Sequence, residues 1–140
     1  MEIAKFIQSR TKPDDTIAVF GSEPQIFFYS KRRSATGYIY TYNMMEIHPY
    51  AIEMQKEMIK DIESKRPKIL IDTRSTLSWI IYPESEQYIL SWADQYIPEN
   101  YKLMGVVDIF SDATIYKWGK EAENYEPCSG YYVRIYERKE

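Results

Sequence analysis

The sequence predicts an α/β fold, a three-layer α/β/α sandwich around a mixed sheet, and three observations carry that expectation. In the first half, short β-rich runs alternate with helical patterns, as at 16–20 and 68–72 on either side of an amphipathic stretch at 50–65. That alternation implies parallel strands joined by right-handed crossovers. The last third changes character: three β-rich runs, 101–110, 114–118 and 131–138, are joined by turns, which implies antiparallel strands at an edge. A chain of 140 residues suits one hydrophobic core, so a single domain spanning 1–140 is expected.

The elements follow in order. Ile3, Phe6, Ile7 and Arg10 have helical spacing, and the helix stops by Lys12 because Pro13 disfavours a helical conformation in the residue before it. Thr16-Ile17-Ala18-Val19-Phe20 is an uninterrupted β-rich run, the mark of a strand covered on both faces. Gly21 turns the chain, Ser22 with Gln25 reads as a capping box, and Pro24 suits a first turn, so a helix is expected over 23–30. A second strand is expected at 35–40, and 42–49, which holds the only histidine, His48, reads as a loop.

The clearest helix covers 50–65, with Ala51, Met54, Met58 and Ile62 on one stripe and Glu53, Lys56, Glu57, Lys60 and Asp61 opposite. Arg66-Pro67 ends it, and a buried strand at 68–72 closes on Asp72. An irregular stretch, 73–85, leads to a helix over 86–96 expected to bury Tyr88, Ile89, Trp92 and Tyr96. In the last run Tyr131, Val133 and Ile135 alternate with Tyr132, Arg134 and Tyr136, so one side faces the core.

Composition excludes several function classes. With 44% hydrophobic and 28% charged residues, the chain has the balance of a folded globular domain rather than a disordered one. A net charge of -3 offers no attraction to a phosphate backbone, so nucleic acid is not an expected partner. One cysteine, Cys128, and one histidine cannot make an internal disulfide or a zinc site, and no metal or cofactor is expected. No apolar run approaches the roughly 18 residues that span a bilayer, and no signal-peptide pattern follows Met1; the chain itself is expected to be soluble. The 14 tyrosines suit half-wet places such as sheet faces, sugar-binding surfaces and the membrane headgroup zone.

Ligands of open α/β sheets favour the crevice beyond the carboxyl ends of parallel strands, which here collects Gly21-Ser22-Glu23, Thr41-Tyr42-Asn43 and Asp72-Thr73-Arg74. Gly21 and Ser22 at a helix start could receive an anion, yet Gly-Ser-Glu-Pro lacks both the dinucleotide fingerprint and the lysine of a phosphate loop. Asp72 resembles an aspartyl-phosphate nucleophile in position, but the acid expected two residues on is Arg74. A Ser22, His48, Asp72 triad lacks the Gly-x-Ser-x-Gly elbow. Lys31-Arg32-Arg33 is a compact basic cluster suited to a lipid phosphate or a pyrophosphate-linked sugar carrier.

The ordered set Pro13-Asp14-Asp15, Gly21-x-Glu23-Pro24-x-Ile26-x-Phe28-Tyr29, Arg32-Arg33 and Tyr38 resembles the soluble tail that follows the last membrane span in polyprenyl-phosphate-sugar-dependent glycosyltransferases of the protein-mannosyltransferase-like class. The likeness covers roughly 3–71. It implies a fragment of a longer membrane protein, placed at the extracytoplasmic (periplasmic) face of the inner membrane, whose partners are the transmembrane part of the same polypeptide and a lipid-linked sugar donor or acceptor. Family catalysis depends on acidic residues in an early loop with no counterpart here, so no catalytic residue carries over. Gly21, Glu23, Pro24, Arg32 and Arg33 match recurrent tail positions and become docking or substrate-positioning candidates with Ser22, Asp72 and Arg74; Ser22 departs from the bulky aromatic such tails often carry. A stand-alone small-molecule-binding or regulatory α/β domain, or a small hydrolase, are the alternative readings.

Overall fold

The computed structural model of the protein describes residues 2–140. Its thirteen elements are α1 (Glu2–Arg10), β1 (Thr16–Phe20), α2 (Gln25–Ser30), β2 (Arg33–Ser34), α3 (Tyr42–Met45), α4 (Ala51–Lys65), β3 (Ile69–Asp72), α5 (Thr76–Trp79), α6 (Tyr88–Asn100), β4 (Tyr101–Ile109), β5 (Thr114–Trp118), α7 (Lys120–Glu123) and β6 (Tyr132–Arg138). The strands form one mixed sheet in the order β2-β1-β3-β6-β4-β5. β1 runs parallel to β2 and β3, while β6 is antiparallel to β3 and β4, and β5 is antiparallel to β4. The expected α/β class, with a parallel N-terminal part and antiparallel C-terminal strands, is the observed one.

Alternation along the strands sorts two cores onto the two faces. Ile17, Val19, Ile69, Ile71, Val133 and Ile135 point one way and meet Ile7 of α1 and Ile26 of α2. Ala18, Phe20 and Leu70 point the other way and meet Met44 and Met45 of α3, Met58 and Ile62 of α4, Trp79 of α5 and Ile89 of α6. Because a strand exposes successive side chains to opposite faces, a run that is apolar throughout must be covered twice, and β1 is. Each deeply buried Ile, Leu or Phe contributes about 1.5–3 kcal/mol of transfer free energy.

Three local expectations are corrected. The second strand is Arg33–Ser34, not 35–40: Ala35 still donates to the Ile17 carbonyl, but the Thr36 hydroxyl then takes the Tyr38 N–H and C=O, so a side chain replaces the ladder. The stretch read as a loop contains α3, whose Met44 and Met45 are fully buried. α6 begins two residues later than expected and continues to Asn100; Tyr88 is exposed, and Ile89, Ala93 and Ile97 form its buried stripe. The last three strands do form the antiparallel side of the sheet, with β5 at the edge and β6 between β3 and β4, where it joins the parallel and antiparallel halves.

Candidate functional site

The chain reverses direction across the sheet at β1. From β1 it crosses by α2 to β2 on one side, then by α4 to β3 on the other, so the carboxyl ends of β1 and β3 form the switch point where ligands of this architecture gather. Phe20 and Asp72 pair across those ends, which brings Gly21 and Ser22 close to the Asp72-Thr73-Arg74 segment.

That crevice is filled by the protein itself. The Ser78 hydroxyl of α5 accepts the Ser22 N–H at 2.8 Å and lies 2.9 Å from the Thr73 hydroxyl. The Ser22 hydroxyl accepts the Thr41 N–H at 2.9 Å, and the Thr41 hydroxyl donates to the Ser78 carbonyl at 3.1 Å. Trp79 Nε1 donates to the Thr73 carbonyl at 2.9 Å, which locks the plug in place. Gly21 has φ +147°, and a Cβ there would stand 1.8 Å from Thr73 Oγ1, so the backbone approaches as closely as glycine permits. The amide that would have cradled an anion is taken, and Ser22 serves this network rather than a helix cap.

Glu23 turns to the opposite face. Its carboxylate accepts from the Tyr131 hydroxyl at 2.5 Å and from the Gln25 amide, at the polar end of a groove of about 300 Å³ whose walls include Ile3, Ile26, Ile109 and Val133. Burial, with the adjacent carboxylate, pushes the Tyr131 hydroxyl far above its usual range, so it remains a donor.

The basic cluster is separated from the other candidates. Thr16 pairs with Arg33, so Arg32 and Arg33 flank the amino end of β1, away from Gly21 and Asp72. Arg32 is only 9% exposed. Its Nε donates to Thr11 Oγ1 at 2.8 Å, Nη2 to the Thr11 carbonyl at 2.9 Å, and Nη1 to the Ser30 and Lys31 carbonyls. These are the free carbonyls at the ends of α1 and α2, so Arg32 clamps two helix termini. Arg33 is exposed.

Asp72 and Arg74 do come together. Arg74 Nε donates to Asp72 at 2.9 Å, Nη1 to Asp94 of α6 at 3.0 Å, and the guanidinium lies over the Phe20 ring. Burial pushes the Asp72 carboxyl up to about 6, against the opposing pull of Arg74. A cavity of about 260 Å³ opens here between β3, β6 and α6. Sequence reasoning missed Asp94, Tyr132 and Arg134; the last faces Asp72 through the β3–β6 register, and nothing short of strand order signals it.

One more feature had no sequence signal beyond tyrosine content. The segments following β2 and β3 are laced together by Tyr42 Oη to the Leu77 carbonyl, Ser85 Oγ to the Met45 carbonyl, and Gln55 Nε2 to the Glu86 carbonyl. Together they expose Ile39, Tyr40, Ile47 and Tyr50 from the first segment and Leu77, Ile80, Ile81, Tyr82 and Tyr88 from the second. Ile80 has φ +51°, a left-handed conformation that costs a β-branched residue on the order of 1–3 kcal/mol.

Among the described residues no helix is long and apolar enough to cross a membrane, and no group of three or more His, Cys, Asp or Glu is placed to hold a metal ion. The chain matches no protein-family model, no curated protein and no solved structure.

Proposed function

We propose that this chain is the extracytoplasmic domain of an integral-membrane glycosyltransferase that uses a polyprenyl-phosphate-sugar donor, and that it docks on the transmembrane part of the same polypeptide rather than carrying out the transfer. The observation that carries the reading is the exposed apolar face formed by 39–50 and 77–88. Leu77 is 73% exposed and Tyr50 70%, on a face built from two segments that the fold holds together. Exposed large apolar side chains on segments held together in this way fit an interaction site.

Charge narrows the partner. No lysine or arginine lies between Arg33 and Lys56 or between Arg74 and Lys102, whereas Glu46, Glu84 and Glu86 lie within the two segments. An anionic headgroup or donor pyrophosphate would meet carboxylates and no cation from either segment, so a neutral protein surface is the better complement. The strained left-handed Ile80 holds its apolar side chain outward at a cost that docking would offset.

The reading is tested in the protein expressed from its complete gene. Ile81→Asp with Tyr82→Asp should lower sugar transfer by about tenfold or more, the effect of a single well-packed contact or greater, while the isolated domain keeps its melting temperature. Unchanged transfer, or a gene product without membrane-spanning segments, would contradict the reading. A second reading, a ligand-binding α/β domain, is favoured by one observation, the cavity at Asp72.

A further inference from the structure

We infer that the cavity between β3, β6 and α6 is a binding site for a neutral polyhydroxylated molecule, one sugar ring or cyclic polyol whose adjacent hydroxyls engage Asp72, Arg74 and Arg134. This does not depend on the docking reading, since it requires nothing of 39–50 or 77–88.

The geometry starts from Asp72, which is 5% exposed. One of its oxygens accepts from Arg74 Nε; among the described residues no hydrogen bond reaches the other. Arg74 likewise spends Nε on Asp72 and Nη1 on Asp94 and leaves Nη2 without a partner. No fully enclosed side-chain nitrogen or oxygen among the described residues lacks a hydrogen bond, so these two atoms reach free space, and both residues line the cavity. A carboxylate that is nine-tenths buried thus presents an acceptor into the cavity beside an arginine donor.

An acceptor beside a donor matches a hydroxyl group, which donates and accepts at once. Two neighbouring hydroxyls on a ring would meet the pair side by side. Across the sheet Arg134 pairs in register with Asp72, lies over the Tyr132 ring, and is held only by Glu126 at 3.4 Å, a residue whose own side chain is 90% exposed. It supplies a second donor from the neighbouring strand. The rings of Tyr132 and Tyr136 line the cavity and offer flat apolar surface to ring C–H groups, with a hydroxyl at each tip.

Charge excludes the competing classes. Two carboxylates, Asp72 and Asp94, face two guanidiniums, Arg74 and Arg134, so the lining is neutral. A phosphate would place excess negative charge beside both carboxylates, and an ammonium would face both guanidiniums. Volume sets the scale: at the ~30 Å³ per molecule of liquid water, 260 Å³ corresponds to about nine waters, room for one ring. Burial also raises the Asp72 carboxyl to about 6, and a hydroxyl donating to its free oxygen would favour the ionised form and lower that value.

The test is an amide chemical-shift titration of the 140-residue chain with glucose and myo-inositol, set beside inorganic phosphate and glycine. The expected result is saturable movement of the Asp72, Arg74, Tyr132, Arg134 and Tyr136 signals by at least one polyol and by neither charged probe, with the Asp72 carboxyl titrating at lower pH when the polyol is bound. Asp72→Asn should weaken binding by about tenfold, the loss of one charge-assisted hydrogen bond. Because that change also disturbs Arg74, Tyr132→Ala at the half-exposed wall gives an independent loss in a chain whose amide spectrum is otherwise retained. Failure of both polyols to move these signals, or stronger movement by phosphate or glycine, overturns the inference, as does undiminished binding by both variants.

Discussion

Gly21→Ala is the sharpest probe of how the switch-point crevice is closed. The new Cβ would stand 1.8 Å from Thr73 Oγ1 and 2.5 Å from Ser78 Oγ, at a φ of +147° that side-chain-bearing residues rarely adopt. The backbone conformation alone costs on the order of 1–3 kcal/mol. Displacing the Thr73 and Ser78 hydroxyls breaks their buried network and leaves the Ser22 N–H, which Ser78 Oγ accepts at 2.8 Å, without a partner; that adds on the order of 1–3 kcal/mol. The sum is roughly 2–6 kcal/mol, a large share of the ~5–15 kcal/mol that holds a domain together. Urea unfolding followed by tryptophan fluorescence reads it directly, as a lower midpoint at an unchanged slope. Thr73→Ala in the same chain removes the nearest atom, so the double variant should lose less than the sum of the two single changes, by about 1 kcal/mol or more. A loss below about 1 kcal/mol for Gly21→Ala, or strict additivity with Thr73→Ala, would show that the crevice has room, and the assignment of these hydroxyls as a structural plug would fall.

The two arginines of the basic cluster should separate: Arg32→Ala is expected to cost about 2–4 kcal/mol, because it removes the donor to the Thr11 carbonyl and hydroxyl and leaves the Ser30 carbonyl with Gln8 alone, while Arg33→Ala at an exposed position stays within about 0.5 kcal/mol. Equal midpoints in urea would refute the clamp. Burial pushes the Asp72 carboxyl up to about 6 in the folded chain from an ordinary 3.8, so between those values the folded state holds a proton that the unfolded state has released. Its contribution is complete below pH 3.8 and is lost as pH rises through that window toward 6, by as much as about 3 kcal/mol. The difference in stability between the native chain and Asp72→Asn should therefore change across pH 4–6, and a constant difference would count against the shift.

The parts of the fold legible in the sequence were those with one dominant pattern. Thr16–Phe20 and Thr114–Trp118 have the observed bounds to the residue, the first because an unbroken apolar run has no soluble alternative to a doubly covered strand. The stretch after Ser34 failed because Thr36 satisfies its own neighbours' backbone groups, a competition invisible to β propensity. In α4 the stripe held at Ala51, Met58 and Ile62, yet Gln55 sits on the same buried face, where its amide binds the Met44 and Glu86 carbonyls and accepts from Ile89 N–H. Periodicity scores a glutamine as solvent-facing; its partners lie in two other elements.

The candidate site was legible by the same measure. Gly21 and Ser22 come near Asp72 and Arg74 because strand-end logic needs only β1 and β3 to be parallel neighbours, while Glu23 turns to the other face. What closes the crevice, Ser78, lies 56 residues from Ser22, and nothing local announces it. Arg32 looked like a free cation because a run of three basic residues says nothing of the helix ends beside it.

The most direct measurement places a photo-reactive amino acid at Tyr40 or Ile81, both on the exposed apolar face, in the protein expressed from its complete gene in its own membranes. Irradiation should yield a cross-link within the same polypeptide, between this domain and a membrane-embedded segment, with weaker yield from the exposed Lys12 at the opposite end of β1. Recovery of the chain as a free-standing cytosolic protein, or equal labelling from all three positions, would contradict the docking role.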